Sequence, residues 1–188
     1  MKKNYIVNSF IILFSILIVS CSDSGKFKIE KGKVGKLTTK TTVQELEKIF
    51  VKDSIIKNLS EGSLGDNYFQ DEDEYLIFEK GGKHLLTIIP KEPLDSTSTI
   101  KSIQIFDDRF KTESGLHLNA TFTEINTNNT ISKIETSFTS ATLFLDDINA
   151  TITLDKEELG LKDFTTQKVT IDQIPDLATI KTFIIWFN

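Results

Sequence analysis

Few residues in this chain could perform chemistry. The sequence holds two histidines, His84 and His117, and one cysteine, Cys21. A serine or cysteine nucleophile needs a neighbouring base, and these two imidazoles are the only ones available for that role. The residue spacings that bind zinc, form a redox pair or hold a phosphate are absent from the sequence. We therefore interpret both histidines as partly exposed polar residues, and we predict a protein that is not an enzyme and needs no cofactor.

Carboxylates are abundant, and their densest group lies between residues 66 and 74. Asp66, Asp71 and Asp73 are weak candidates for a calcium site, because hard cations take several oxygen ligands from one flexible loop. Their spacing matches no twelve-residue calcium loop. A solvated, charged surface is the alternative interpretation of the same residues, and no metal is predicted.

Aromatic residues flank this acidic group. Tyr68, Phe69 and Tyr75 form a possible partner-binding loop, because aromatic side chains beside charge are common in protein contacts. The alternative is that Tyr68 and Phe69 pack back onto the protein. Two other short sequences, around Ser54 and Ser96, resemble the Asp-Ser/Thr-x signal for O-glycosylation in Bacteroidota.

The N-terminus carries the clearest motif. Lys2 and Lys3 precede an apolar stretch of about 15 residues, which is short for a membrane-spanning helix of about 20. The stretch ends with Ile18, Val19, Ser20 and Cys21. This ending resembles the lipobox of bacterial lipoproteins, and an ordinary cleaved signal peptide is the alternative. The resemblance implies that residues 1–20 are a signal peptide and that Cys21 carries diacylglycerol on its thiol and a fatty acid such as palmitate on its amino group.

The predicted mature chain begins at Cys21, with residues 21–26 as a lipidated tether. Ser22 stands where an aspartate would resemble an inner-membrane retention signal, so the resemblance implies an outer-membrane lipoprotein of the cell envelope. No acidic run follows Cys21 to favour surface export, so we predict the periplasmic face. The net charge of -5 disfavours nucleic acid as a partner and gives the chain as a whole no attraction to anionic lipid.

Two pairs of segments recur at nearly one spacing. Residues 99–106 match residues 179–186 at an offset of about 80, both beginning Thr-Ile-Lys. Residues 27–32 and 110–115 match at a similar offset, both beginning Phe-Lys. We therefore predict two tandem repeats of about 80 residues each. Their predicted bounds are residues 27–106 and 107–188.

Each predicted repeat has a helix signal followed by strand signals. Thr42 with Glu45, and Thr121 with Glu124, form capping boxes that predict a helix of about ten residues in the first repeat and a shorter one in the second. Alternating apolar residues then predict hairpins over residues 75–89 and 140–154. The predicted fold class is α+β, with each repeat a short helix packed on an antiparallel sheet of about four strands.

This arrangement resembles a known architecture. Tandem units with a helix first and an antiparallel sheet after it are similar to the β-lactamase inhibitory protein family, and lipidated relatives of similar topology include the small barrel-assembly lipoproteins of the outer membrane. Gly35-Lys36-Leu37-Thr38, ahead of the first helix, resembles the start of such envelope domains. Uncharacterised lipoproteins of Bacteroidota are also similar. The resemblance implies a fold and carries over no catalytic residue.

Two functions are compatible with these observations. The first is a non-enzymatic protein-binding module that is anchored in the membrane by lipid. It binds an envelope protein through an exposed sheet or the acidic loop, as an adaptor, inhibitor or immunity protein. The lipobox, the repeat and the lack of a catalytic set favour it. The second is a hydrolase or ligand carrier for glycan or lipid, with a pocket between the repeats. Only the surplus of carboxylates, 27 acidic against 22 basic residues, supports the second hypothesis.

Overall fold

Two β-sheets and two short helices make up the described part of the chain. The computed structural model describes residues 25–60, 71–160 and 168–187. The strands are β1 (Lys28–Glu30), β2 (Lys33–Val34), β3 (Leu37–Thr38), β4 (Ser54–Asn58), β5 (Glu74–Phe78), β6 (His84–Pro90), β7 (Ile100–Ile105), β8 (Lys111–Thr112), β9 (Lys133–Thr136), β10 (Ser140–Leu145), β11 (Ala150–Asp155) and β12 (Thr182–Trp186). The large sheet has the strand order β4-β5-β6-β7-β12-β11-β10-β9, and the small sheet has the order β3-β2-β1-β8.

Both predicted capping boxes are confirmed. The backbone N–H of Thr42 donates to Glu45 Oε2 at 2.8 Å, and that of Thr121 donates to Glu124 Oε2 at 2.8 Å. The first box starts a 3-10 turn (Val43–Glu45) that continues as helix α1 (Leu46–Ile49), and the second starts helix α2 (Phe122–Asn128). The predicted helix lengths are wrong, because α1 has four residues after its 3-10 turn and not about ten, and α2, with seven residues, is the longer helix. Within the described ranges no helix has the length and apolar character needed to cross a membrane.

Both predicted hairpins are also confirmed. Strands β5 and β6 turn at Gly81 and Gly82, whose φ angles of 117° and 91° are in the region that glycine tolerates best. Strands β10 and β11 turn before Asn149, which adopts a φ of 52°. Asparagine is among the few other residues that enter this left-handed region without much cost. Local turn chemistry therefore fixes the register of both hairpins.

The two halves of the large sheet meet at β7 and β12, which are antiparallel neighbours. Gln104 lies opposite Ile184, and these two residues are also equivalent under the sequence match. An approximate two-fold axis therefore passes between them. The other matched pair of segments also lies side by side, because β1 and β8 pair in parallel with Lys28 opposite Lys111.

The predicted α+β fold class is wrong. The structure is mostly β, and the two halves do not form separate units of one helix on a four-stranded sheet. Strands β7 and β12 join all their strands into one sheet of eight, and the four-stranded sheet is an additional element. The helices are too short to define a layer of their own. Strands β1, β2 and β3 have only two or three residues each, so they leave no alternation in the sequence that would predict the small sheet. The repeat bounds stay a prediction.

One face of the large sheet carries the hydrophobic core. Side chains alternate between the two faces of a strand, and the inward set is almost fully buried. It includes Ile77, Leu86, Ile103, Ile152 and Ile185. Leu46 of α1, Ile125 of α2 and Ile29 and Leu37 of the small sheet belong to the same core cluster. The helices and the small sheet therefore pack on this core face, and among the described residues the opposite face is a candidate surface for binding.

Candidate binding surface

The opposite face of the large sheet presents a continuous row of side chains. Because the neighbouring strands are in register, each strand contributes one residue to this row. From one sheet edge to the other, the row is Ile56, Leu76, Thr87, Gln104, Ile184, Thr151, Phe144 and Lys133. At about 4.8 Å between strands, eight strands span about 34 Å. This row and the neighbouring side chains on the same side of the sheet are called the open face below.

The open face is apolar for much of its width. Ile56 is 51% exposed at the edge strand β4. Leu76, Ile184 and Phe144 are half-buried, so each keeps part of its apolar surface in contact with water. Antiparallel sheets with one solvated face usually carry polar residues on that face. Apolar side chains in this row are therefore unusual for a surface that only contacts water.

Three stacked rings extend the open face. His84 lies between Phe78 and Phe106, with ring centroids 4.6 Å and 3.9 Å away and interplanar angles of 20° and 18°. His84 Nε2 is 3.1 Å from the carbonyl oxygen of Leu86, and a carbonyl only accepts, so Nε2 carries the proton. Burial lowers the pKa of His84 despite this bond. The imidazole is therefore neutral at physiological pH, and the stack presents an uncharged aromatic surface in which Phe106 is 37% exposed.

Near the two-fold axis, the indole of Trp186 lies on the open face and is hydrogen-bonded to it. Trp186 Nε1 donates to Thr151 Oγ1 at 3.0 Å, which leaves the rest of the indole to cover the sheet. Thr151 and Ser102 are buried although they lie on this face. Larger half-exposed neighbours such as Ile184 shield them. The centre of the open face is therefore closely packed.

A buried ion cluster fixes the segment that links the two halves. The side chain of Asp107 is fully buried and accepts from the Arg109 backbone N–H at 2.9 Å and from Arg109 Nη2 at 2.6 Å, and Lys83 Nζ lies 3.1 Å from it. Burial alone would raise the pKa of Asp107, but the hydrogen bonds from Arg109 and Lys83 outweigh it and hold the pKa well below its ordinary value. Arg109 also contacts Glu79 at 2.8 Å and lies over the ring of Phe27. The cluster is structural, because its members satisfy one another.

A small cavity of about 120 Å³ lies between α1, the β2–β3 hairpin and the start of β6. Its walls include the buried side chains of Val34, Leu86 and Phe110. Three lysines also line it, at positions 26, 36 and 52. The cavity is therefore apolar inside and basic around its lining.

A wider cleft of about 500 Å³ lies where the halves meet at the small sheet. Its lining includes Glu30, Glu113 and Asp147, together with Asn128 and Asn129. Hydrogen bonds from two lysines, first Lys28 and then Lys33, lower the pKa of Glu30. A general acid for glycoside hydrolysis needs a raised pKa, so Glu30 is unsuited to that role.

The structure places only some of the sequence-predicted site residues. Cys21, with the preceding Ile18, Val19 and Ser20, lies outside the described residues, as do Asp66, Tyr68 and Phe69. Tyr75 is a strand residue of β5 and only 7% exposed, so it belongs to the core and not to an exposed loop. Burial raises the pKa of its hydroxyl. Ser54 and Ser96, the glycosylation candidates, are both exposed.

The acidic candidates separate into different roles. Asp71 is exposed, whereas Asp73 is 1% exposed and both of its carboxylate oxygens accept backbone hydrogen bonds. Ser60 N–H donates at 2.8 Å and Leu94 N–H at 2.7 Å. Asp73 therefore joins two loops. No group of three or more histidine, cysteine or carboxylate side chains within the described ranges is arranged to hold a metal ion.

The sequence hypothesis named an exposed sheet as a docking surface but not the residues of the open face, although a signal for them exists. Strand β12 reads Thr-Phe-Ile-Ile-Trp, so its inward Phe183 and Ile185 alternate with the equally apolar Ile184 and Trp186. Strand β5 reads Glu-Tyr-Leu-Ile-Phe and has the same property. A strand without polar alternation is typical of a sheet that is covered on both faces. Here only one face carries the core.

The comparisons with known proteins give no function. No protein-family model matches the sequence, and no curated protein is detectably similar to it. The chain is similar in structure to the uncharacterized protein yfeY from Escherichia coli, with a TM-score of 0.55 and 12% sequence identity. The similarity covers 85% of this chain and 99% of that chain. At this identity the likeness shows a shared fold alone.

Proposed function

We propose that the protein is a cell-envelope lipoprotein, lipidated on Cys21, that binds another envelope protein on the open face of its eight-stranded sheet. The observation that carries the proposal is the presence of four partly exposed apolar side chains in this row, Ile56, Leu76, Ile184 and Phe144, on the face opposite the core. Exposed contiguous apolar surface marks interaction sites in soluble domains. The binding is non-enzymatic, of the adaptor, inhibitor or immunity type.

The dimensions of the open face favour a folded protein as its occupant. The row is about 34 Å long, and strands of five residues are about 17 Å long, which gives a footprint of about 580 Å², the size that each partner buries in a small, transient protein interface. A small molecule binds in an enclosed pocket, and the two cavities described above are lined by other residues. Gln104 and Lys133, the accessible polar members of the row, supply hydrogen bonds for specificity.

The lipid anchor belongs to the same proposal. The expected site of action is the periplasmic face of the outer membrane, where the anchor concentrates the protein near membrane-bound partners. Two or three acyl chains hold a protein stably on a bilayer, whereas one chain does not. Cys21→Ala should therefore move the protein from the membrane fraction into the soluble fraction. A Cys21→Ala protein that stays in the membrane would contradict the lipoprotein part of the proposal.

Site-specific crosslinking tests the open face. A photo-reactive phenylalanine analogue replaces Phe106 in one variant and Phe138 in a matched control, in the lipidated protein in its native envelope. Both are exposed phenylalanines, at 37% and 61%, but Phe138 lies in the β9–β10 turn and not on the open face. We expect one discrete crosslinked partner from position 106 only. That crosslink should disappear when Gln104→Arg places a charge in the middle of the row.

Three outcomes would contradict the proposal. Crosslinks of equal yield from positions 106 and 138 would show non-specific contact. A crosslink that survives Gln104→Arg would place the partner elsewhere. A concentration-dependent dimer of the wild-type chain, lost with Gln104→Arg, would assign the open face to self-association and not to a different protein.

Glycan binding in the wider cleft is the second candidate function. Three carboxylates and two asparagine amides line it, and such groups hydrogen-bond to sugar hydroxyls. Titration calorimetry with peptidoglycan fragments, for wild type and Glu113→Gln, tests this candidate. Binding that is lost in Glu113→Gln would support glycan binding in the cleft. The absence of any binding heat with the wild type would contradict it.

A further inference from the structure

The first part of the folded chain is basic, although the protein as a whole is acidic. Residues 26–53 carry eight lysines and four acidic residues, against 22 basic and 27 acidic residues in the full chain. The four acids are all engaged: Glu30 pairs with Lys28 and Lys33, Glu45 completes a capping box, Glu47 pairs with Lys57, and Asp53 pairs with Lys26. Eight lysines against four acidic residues leave this segment with a net formal charge of +4.

Two of these lysines lie together at the small cavity. Lys36 is at the tip of the β2–β3 hairpin and Lys52 follows α1, and both line the cavity. Both are exposed, and neither has an ion pair within the described ranges. Val51, beside Lys52, is 77% exposed. Lys36, Val51 and Lys52 are called the basic patch below.

Backbone packing fixes the basic patch next to the start of the folded chain. Gly35 has a φ of +57°, and a Cβ at this position would lie 2.4 Å from the carbonyl oxygen of Lys26. The Gly35 N–H also donates to the carbonyl of Lys28 at 2.8 Å. The hairpin tip that carries Lys36 is thereby held against Lys26, which lies five positions after Cys21.

We propose that the basic patch contacts the surface of an anionic phospholipid bilayer, the membrane in which Cys21 is anchored. This inference rests on the proposed lipidation. Five residues extend at most about 18 Å in any conformation, so Lys26 cannot lie far from the bilayer surface. Charge complementarity favours this occupant, because lysines near an anionic surface are attracted to it within a Debye length. Val51 adds an exposed apolar side chain suited to the headgroup boundary.

Vesicle binding of the unlipidated mature chain, Cys21→Ser, measures the contribution of the basic patch. The probe is a vesicle of phosphatidylcholine with about one-third phosphatidylglycerol, compared with phosphatidylcholine alone. Neutralising both lysines, Lys36→Gln with Lys52→Gln, should weaken binding to the anionic vesicles about 30-fold, or about 2 kcal/mol. The matched control neutralises Lys91 and Lys168, which are exposed, lie outside residues 26–53 and line neither cavity. It should bind as the parent does.

The lipidated protein provides the second measurement. In proteoliposomes, acetylation of Lys36 and Lys52 by an amine reagent should be slowed several-fold when phosphatidylglycerol is present, and acetylation of Lys91 should be unchanged. Equal binding of the two double variants, or no protection of Lys36 and Lys52, would overturn the proposal. Circular dichroism of each variant excludes misfolding as the cause. Failure of lipidation is seen separately, as the absence of the acyl mass on Cys21.

Discussion

Replacing Asp107 by asparagine tests whether the buried ion cluster holds the two halves together. The asparagine keeps the shape of the side chain but removes the charge that Arg109 and Lys83 face at 2.6 and 3.1 Å. Breaking a fully buried ion pair costs about 3–5 kcal/mol. Arg109 and Lys83 are 40% and 53% exposed and can be rehydrated, so we expect a loss of about 2 kcal/mol at pH 7. For a chain of this length that is a fall of about 4–8 °C in Tm.

The pH dependence of the free energy of unfolding gives a second, independent test of this prediction. The pKa of Asp107 is lower in the folded than in the unfolded protein, so its stabilising contribution is present above the unfolded-state pKa and is lost as the pH falls towards the folded-state pKa. From pH 7 to pH 3 the wild type should therefore lose about 1 kcal/mol relative to Asp107→Asn, which has no carboxyl to titrate there. The difference in free energy of unfolding between wild type and Asp107→Asn should therefore be about 1 kcal/mol smaller at pH 3 than at pH 7.

Urea unfolding of the unlipidated chain, followed by circular dichroism and by the fluorescence of Trp186, measures both effects. Asp108→Asn is the matched control, because Asp108 is the neighbouring residue and its side chain is 47% exposed with Lys83 at 3.6 Å. Asp108→Asn should lower the free energy of unfolding by less than about 0.5 kcal/mol. Equal losses for Asp107→Asn and Asp108→Asn at pH 7, or a difference that widens at pH 3, would refute the reasoning.

Three further substitutions test the local backbone, each by thermal unfolding. Gly35→Ala should cost more than about 1 kcal/mol because of its positive φ and its close approach to a carbonyl, whereas Gly25→Ala, with open space around it, should be neutral. Thr121→Ala should cost about 1 kcal/mol by removing the cap of α2, and Thr127→Ala, at an exposed position of the same helix, should not destabilise the protein. Leu94→Gly should raise the stability by up to about 1 kcal/mol, because Leu94 is 59% exposed and strained at a φ of 58°; a fall would contradict that account.

Local signals in the sequence predicted local structure well. The capping boxes at Thr42 and Thr121 specify hydrogen bonds within four residues, and the glycines at 81 and 82 specify a turn, so neither depends on the rest of the fold. The sequence match at residues 99–106 and 179–186 also identified the two strands that become neighbours. These features were accessible because each is encoded within one segment.

The sequence did not predict that the strands of both halves join into one eight-stranded sheet. Pairing of β7 with β12 is a contact between strands about 80 residues apart, and nothing in either strand distinguishes joining the halves from closing each half by itself. Tyr75 shows the same limit for the site. Beside the acidic run its ring suggested an exposed loop, yet its place on β5 opposite Ile88 turns it into the core. Which face a strand residue takes depends on register, and a shift of one residue reverses it.

The basic patch and the open face lie on different sides of the large sheet. Lys36 and Lys52 belong to the hairpin and helix that pack on the core face, and Gln104 and Ile184 point from the other face. A bilayer contact at the basic patch would therefore turn the open face away from the lipid and towards soluble or membrane-anchored proteins. Without that contact, the lipid anchor alone would not set the direction in which the open face points. The two proposals together predict one combined result. Neutralising Lys36 and Lys52 should leave the affinity for a partner in solution unchanged, but it should lower the yield of crosslinks from position 106 when the protein is on the membrane.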